Sequence, residues 1–313
     1  MKILVPTSVP LETDLPDGVN AVPFDISDPL ADEHRDAEAL VVWGGNTERL
    51  SELATQLPQL RWVQTLSAGP DAVVAAGFAD DVVITSGVGL HDLPVTEHAL
   101  ALMLALLRRL PAAAAAQVEH RWAAELGGRQ ELRPEGAVTS LIGTNVLIWG
   151  FGSIGQTLAP VLEALGAEVR GVARSAGERG GFDVVAETDI DGELAATDVL
   201  VMILPATPET ERVLDAARLG ALPEHALVVN VGRGTTVDED ALVAALTEGS
   251  IGGAAIDVTA VEPLPADSQL WDAPNLIITP HAAGGRPVNS GELIAHNAAA
   301  LLAGEPLRNV VEG

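Results

Sequence analysis

Four polar side chains follow three apolar runs in the second half of the chain. Arg233 comes after "ALVVN", Asp257 and then Glu262 after "GGAAI", and His281 after "NLIIT". Ligands of open α/β sheets bind beyond the C-terminal ends of the strands, so a cation, carboxylates and an imidazole are expected to meet in one cleft. That set suits hydride transfer to a 2-oxo acid. A guanidinium fork holds the substrate carboxylate and polarises the neighbouring carbonyl. The carbonyl oxygen gains negative charge as hydride arrives, and His281 is a natural proton donor near neutral pH. Glu262 beside it would fix the ring's orientation, and in the reverse direction the neutral ring accepts the hydroxyl proton. Each residue also has a plain reading. Glu262 could be a turn carboxylate before Pro263, Asp257 a local cap, and His98 a helix-packing residue. His91, in "GVGLHDLP", is the other histidine placed to line a substrate pocket. The joint placement at three strand ends favours the chemical reading. Arg233 is also flanked by Gly232 and Gly234, which would keep bulk out of a crowded cleft.

A cofactor site is expected upstream. "NVLIWGFGSIG" runs from an apolar strand into Gly150, Gly152 and Gly155 and opens a helix, with another strand about twenty residues on. The glycines allow a tight turn and bring backbone N–H groups to a pyrophosphate at the helix N-terminus. An acid at the end of the next strand would bind the ribose 2′-hydroxyl of NAD. Here "GVARSAG" has Ala173 in that place, followed by Arg174 and Ser175. A guanidinium and a hydroxyl suit a 2′-phosphate, so NADP is preferred, with NAD as the alternative.

The elements that must hold these groups are legible as an α/β alternation. In the first ninety residues "KILVP", "ALVVWGG", "RWVQTL" and "DVVITS" read as strands and "TERLSELATQLP" as a helix. "HDLPVTEHALALMLALLRRLP" reads as one nearly all-apolar helix ending at Pro111, buried between domains or subunits. From residue 144 six strand-like runs with helical stretches between them make a doubly wound sheet. Gly284 and Gly285 look like a hinge, and a last helix ends at Gly304. The 313 residues suffice for two domains. There is no cysteine, which excludes disulfides, thiolate metal sites and cysteine nucleophiles, and no metal site is expected. Formal net charge is −27, and Lys2 is the only lysine. A surface so acidic repels nucleic acid and anionic membranes. The start lacks a secretory h-region, and the longest apolar run, Ala99–Leu107, is too short to span a bilayer, so a soluble cytoplasmic protein is expected.

The stretches "GFGSIG", "LPATPETE", "VVNVGRGTTVDEDAL", "GGAAIDVTAVEPLPADSQLW" and "TPHAAG" together resemble the D-isomer-specific 2-hydroxyacid dehydrogenases over essentially the whole chain. The resemblance implies an NAD(P)-dependent oxidoreductase with two Rossmann-like lobes. Residues 94–283 would form the dinucleotide-binding domain. Residues 1–93 with 284–313 would form a smaller, flavodoxin-like substrate domain. It implies Arg233, Glu262 and His281 as the catalytic set and Asp257 as a contact of the nicotinamide amide. Cofactor contacts are expected at Gly150, Gly152, Ser153, Ile154, Ala173, Arg174, Ser175, Leu204, Pro205, Thr210, Val231 and Gly232. "LSAGPD" matches the loop whose N–H groups bind the substrate carboxylate, near Leu66, Ala68 and Gly69, and "TEHALALML" with "HRW" matches the region that members use in their dimer interface. "ARS" resembles the NADPH-preferring glyoxylate and hydroxypyruvate reductases. A phosphoglycerate dehydrogenase using NAD and a cofactor-sensing corepressor are the alternatives. No cation precedes the substrate loop, which argues against a phosphorylated substrate; a small or aliphatic 2-oxo acid is expected.

Overall fold

The computed structural model describes residues 1–10, 13–128, 131, 134 and 136–311. The chain forms two compact units, Met1–His91 with Arg286–Gly313, and Asp92–Gly285. It crosses between them at 91/92 and 285/286, where the sequence reading sets 93/94 and 283/284.

The first unit carries β1 (Lys2–Pro6), β2 (Asn20–Phe24), β3 (Ala39–Val42), β4 (Trp62–Thr65) and β5 (Val83–Thr85). They form a parallel sheet in the order β2-β1-β3-β4-β5, the flavodoxin-like order. Strand β2 is absent from the sequence reading. Its residues are mostly exposed and it contains Pro23, which a strand tolerates at a sheet edge where one row of N–H groups needs no partner. Alternate strand residues pack on opposite faces. Leu4, Leu40 and Val63 meet Leu50 and Leu53 of α1 (Thr47–Gln56), while Ile3, Val41 and Trp62 meet Ile294 and Ala298 of the C-terminal helix Ser290–Ala303. A short α2 (Asp71–Val74) follows β4. A buried polar network ties the C-terminal segment to the end of β4. Asn297 donates to Gln64 Oε1 (2.9 Å) and accepts the Arg308 N–H (2.8 Å), and Gln64 Nε2 donates to the carbonyls of Thr65 and Ser86.

The second unit contains β6 (Asn145–Trp149), β7 (Glu168–Ala173), β8 (Gly177–Arg179), β9 (Phe182–Ala186), β10 (Val199–Met202), β11 (Leu227–Asn230), β12 (Gly253–Ile256) and β13 (Leu276–Ile278). Their order is β13-β12-β11-β10-β6-β7-β9-β8, parallel except for the β8–β9 hairpin. Six of these strands are the six apolar runs of the sequence. The hairpin "GERGGFDVV" is too polar at its start to show. The direction of winding reverses between β6 and β10, which opens a crevice at that end of the sheet. The long apolar segment is two helices rather than one. The first, α3 (Asp92–Leu107), packs on α5 (Ser153–Ala164) and over β11 and β12. Arg109 then turns into the left-handed region (φ 51°), and α4 (Leu110–Val118) leaves at 67° to α3. Pro111 opens α4 instead of ending α3, because a first helical turn needs no N–H from it. No single helix among the described residues is long and apolar enough to cross a membrane. Helices α6 (Asp191–Leu194), α7 (Ala216–Ala221) and α8 (Glu239–Glu248) cover the opposite face.

Candidate active site

The strand ladder of the second unit continues one step past the strands. Ile203 donates to the Trp149 carbonyl, Val231 to Met202, Asp257 to Asn230 and Thr279 to Ile256. The loops that carry the sequence-predicted residues therefore leave the sheet side by side.

In the glycine loop the three glycines have different duties. Gly150 lies at φ 102°, and a Cβ there would sit 2.5 Å from the Ile203 carbonyl oxygen. A Cβ on Gly155 would press on the Gly150 carbonyl (3.1 Å), so this position seats α5 against β6. Gly152 faces open space, with no atom within 4 Å of its Cβ position, and no side chain caps α5. An open approach to the N–H groups of a helix start is what a pyrophosphate needs, so the loop fits a dinucleotide. Ser153 Oγ donates to Asp92 (2.9 Å), which anchors the helix start to α3.

At the end of β7, Ala173 is half-buried and Arg174 and Ser175 are exposed. Arg179, which the sequence reading misses, joins them. The β8–β9 hairpin folds it back so that Nη2 donates to Ser175 Oγ (2.9 Å) and Nη1 to the Phe151 carbonyl (3.4 Å). Its signal in the sequence was a second arginine five positions after the first, hidden because the hairpin was unrecognised. Next along the sheet edge, Leu204 is buried and Pro205 exposed. The Thr210 hydroxyl is spent within its own loop, donating to the Pro205 carbonyl (2.6 Å) and accepting the Thr207 N–H (2.8 Å). These bonds tie Thr210 to the Pro205 carbonyl and the Thr207 N–H.

Val231 is buried, and Arg233, half-buried, is fixed by its backbone. Its carbonyl accepts from Asn230 Nδ2 (3.1 Å) and from the Thr236 hydroxyl (2.6 Å), while Asn230 Oδ1 accepts the Gly232 N–H (3.0 Å). Asn230 and Thr236 are fully buried, and neither stood out in the sequence. The flanking glycines also differ from expectation. A Cβ on Gly232 would lie 2.7 Å from Leu204 backbone, and one on Gly234 would collide with Thr259 backbone. The glycines are required because two other loops run against them.

Asp257 is buried to 1% exposure. Its Oδ1 accepts from the Thr279 hydroxyl (2.6 Å) and the Ala282 N–H (2.8 Å), and its Oδ2 from the Ala283 N–H (2.9 Å). The Asp257 carbonyl accepts the N–H of His281 (2.7 Å). The carboxylate therefore clamps the turn 279–283, in which His281 adopts φ 50°, the left-handed region that is uncommon for residues other than glycine. His281 Nδ1 lies 2.8 Å from Glu262 Oε2, and Glu262 Oε1 accepts the Thr259 N–H (3.1 Å). Both side chains are partly exposed, at 46% and 39%. A histidine whose Nδ1–H is held by a carboxylate presents Nε2 for proton exchange.

In the first unit, Leu66 is fully buried in the core, so its side chain does not line a surface. Ala68 and Gly69 are half-buried at the loop. His91 Nε2 donates to the Leu66 carbonyl (2.7 Å) and its ring stacks on Trp43 at 5.6 Å, so it braces this loop from behind.

Asp257→Asn keeps the shape but offers an amide N–H₂ where one acceptor stood. It should lower unfolding free energy by about 2–4 kcal/mol in urea titration, the cost of mismatching a buried charged hydrogen-bond centre. A change below about 0.5 kcal/mol would show that the carboxylate is not the clamp.

Similarity to known proteins identifies the family. The family model for the NAD-binding domain of D-isomer-specific 2-hydroxyacid dehydrogenases matches residues 100–283. A glycerate dehydrogenase from Methylorubrum extorquens is 32% identical over 267 residues, covering 82% of this chain and 80% of the other. A D-3-phosphoglycerate dehydrogenase from Mycobacterium tuberculosis is 33% identical over 86% of this chain, which spans 50% of that protein. The crystal structure of an NADPH-dependent glyoxylate/hydroxypyruvate reductase from Sinorhizobium meliloti, in complex with NADP and sulfate, superposes with a TM-score of 0.81 at 29% identity, covering 99% of this chain and 98% of that one. With its two parallel-sheet units, glycine loop and clamped histidine–glutamate pair, this chain belongs to the D-isomer-specific 2-hydroxyacid dehydrogenase family of oxidoreductases.

Proposed function

We propose that the protein is an NADPH-dependent reductase of a short 2-oxo acid, working in reverse on the D-2-hydroxy acid. The observation that carries this reading is the His281–Glu262 pair at 2.8 Å, held at the end of β13 in the same sheet edge as Arg233. Gly150, Gly152, Ser153 and Ile154 would hold the pyrophosphate, with Leu204, Pro205, Val231 and Gly232 along the sheet edge. The nicotinamide, when bound, supplies the hydride. Arg233 holds the substrate carboxylate and draws electron density toward the carbonyl oxygen. As that oxygen gains charge, His281 passes it the Nε2 proton and keeps Nδ1–H on Glu262. In the oxidative direction the neutral ring takes the hydroxyl proton back at Nε2. Asp257, with its oxygens engaged by the turn, supports the site by holding His281 in place.

A panel of glyoxylate, hydroxypyruvate, pyruvate, a branched 2-oxo acid and 3-phosphohydroxypyruvate should show NADPH oxidation with at least one unphosphorylated acid. His281→Ala should lower kcat by about 10²–10⁴-fold, the usual worth of a general acid, with NADPH affinity within about twofold. Silence across the panel favours a cofactor-sensing binding protein, and preference for the phosphorylated acid a phosphoglycerate dehydrogenase.

The choice of NADPH rests on Arg174, Ser175 and Arg179, a hydroxyl and two guanidinium groups where an acid would select NAD. In calorimetric titration NADPH should bind at least about tenfold more tightly than NADH. Arg174→Ala and Arg179→Ala should each weaken NADPH by about tenfold, one charge-assisted hydrogen bond, and leave NADH unchanged. Tighter binding of NADH by the wild type would reverse the assignment.

Self-association into a homodimer is the third part of the proposal. On and after α4, Leu110, Val118 and Trp122 are 53%, 83% and 92% exposed, beside a cleft lined by Ala113, Ala116 and Leu126. Apolar groups so exposed are a mark of an interaction surface. Light scattering should give a dimer for the wild type and a monomer for the double variant Val118→Asp/Trp122→Asp; a monomeric wild type would rule the surface out as a self-association site.

A further inference from the structure

His98 reads in the sequence as a packing residue of an apolar helix. In the fold it sits on α3 with Nε2 at 3.0 Å from the Thr279 hydroxyl and 3.1 Å from Asp257 Oδ1. Asp257 receives backbone N–H groups from Ala282 and Ala283, so its carboxylate accepts. Thr279 has one hydroxyl proton, and at 2.6 Å it goes to Asp257 Oδ1. The hydroxyl oxygen can then only accept from His98, so His98 Nε2 carries a proton. His98 is thus the last donor in a chain that runs from α3 through Thr279 to Asp257. That chain ends on the turn holding His281 at φ 50°.

Two facts make this more than packing. The Asp257 side chain is 0% exposed, and the His98 Nε2 donor reaches its Oδ1 at 3.1 Å. A buried carboxylate without enough donors is costly, and relief comes by moving the groups around it. Here those groups are Thr279, Ala282 and Ala283, the residues on either side of His281. The left-handed conformation of His281 also persists only while its surroundings enforce it. Loss of the His98 donor removes one of the constraints on the turn and frees the Thr279 hydroxyl to rotate.

We propose that His98 is a positioning residue for the acid/base histidine: through Thr279 and Asp257 it ties α3 to the 279–283 turn and keeps His281 Nδ1 on Glu262. This rests on the reading of His281 as the proton-transfer group. His98 itself touches neither reacting atom.

The test uses two readouts. The first needs no substrate: the tautomer of the His281 ring, from its two nitrogen shifts in histidine-labelled protein at a pH where the ring is neutral, assigned by its loss in His281→Asn. Wild type should show the Nδ1–H form. His98→Ala and Thr279→Val should shift the ring toward the Nε2–H form that free histidine prefers, and His98→Gln, which keeps a donor, should retain the wild-type form. The second is kinetic. His98→Ala should lower kcat about tenfold, as small misplacements do, with KM and NADPH affinity within about threefold, and His98→Gln should recover at least about a third of the wild-type rate. An unchanged tautomer with turnover within twofold in His98→Ala would overturn the proposal. So would a kcat loss matched by equal losses of cofactor affinity in all three variants. If His98→Ala fails to fold, Thr279→Val and His98→Gln decide the same question. Should His281→Asn be as active as wild type, the acid/base reading falls, yet the tautomer still reports whether His98 sets the ring.

Discussion

One buried carboxylate organises the chemical end of the second unit. Asp257 sits where water cannot solvate it, and a charge in that position is stable only if donors surround it. The hydroxyl of Thr279, two backbone N–H groups and the His98 ring supply them. Because all of those donors except the His98 ring belong to the segment bearing His281, satisfying the charge and shaping the turn are the same event. A loop with no regular structure thereby holds His281 at a left-handed backbone angle, with Glu262 supporting its ring.

Close backbone approach is the second constraint. The glycine loop, the segment after β10 and the segment after β11 run against one another at the point where the sheet's winding reverses. Gly150 and Gly232 both face residues 203–204, and Gly234 faces Thr259. Side chains at these positions would push the loops apart and displace Arg233 from the edge. The bare surroundings of that arginine are therefore a consequence of loop-to-loop packing. Asn230 and Thr236 complete the fixation of the backbone by binding the Arg233 carbonyl.

Charge has a more local role than the overall balance suggests. With a net −27, the surface as a whole repels anions. Arg174 and Arg179 gather at the end of β7, and Arg233 stands at the end of β11. Positive charge placed against a helix N-terminus makes a small region favourable to phosphates and carboxylates while the rest stays hostile.

Much of this was legible from residue order. Periodic apolar runs, the glycine spacing and the placement of Arg233, Glu262 and His281 after strands identify a doubly wound sheet and its family, because those signals are local and each strand end carries its own residue. The missing acid at Ala173 is equally local. What lay beyond reach were contacts between distant segments. The edge strand with Pro23 and the hairpin bearing Arg179 lack an apolar pattern, so only pairing with β1 and β7 makes them strands. The break at Arg109 depends on how α3 packs. Leu66 looked like a pocket residue until the core of its unit enclosed it. His98 is 181 residues from Thr279 in sequence, and nothing in a helical stripe of alanines and leucines marks it as a hydrogen-bond donor to the turn that bears His281. The order of residues determined which groups stand at the strand ends. The tertiary structure decided which of them are held in place, because holding requires donors and acceptors that meet only when the chain is folded.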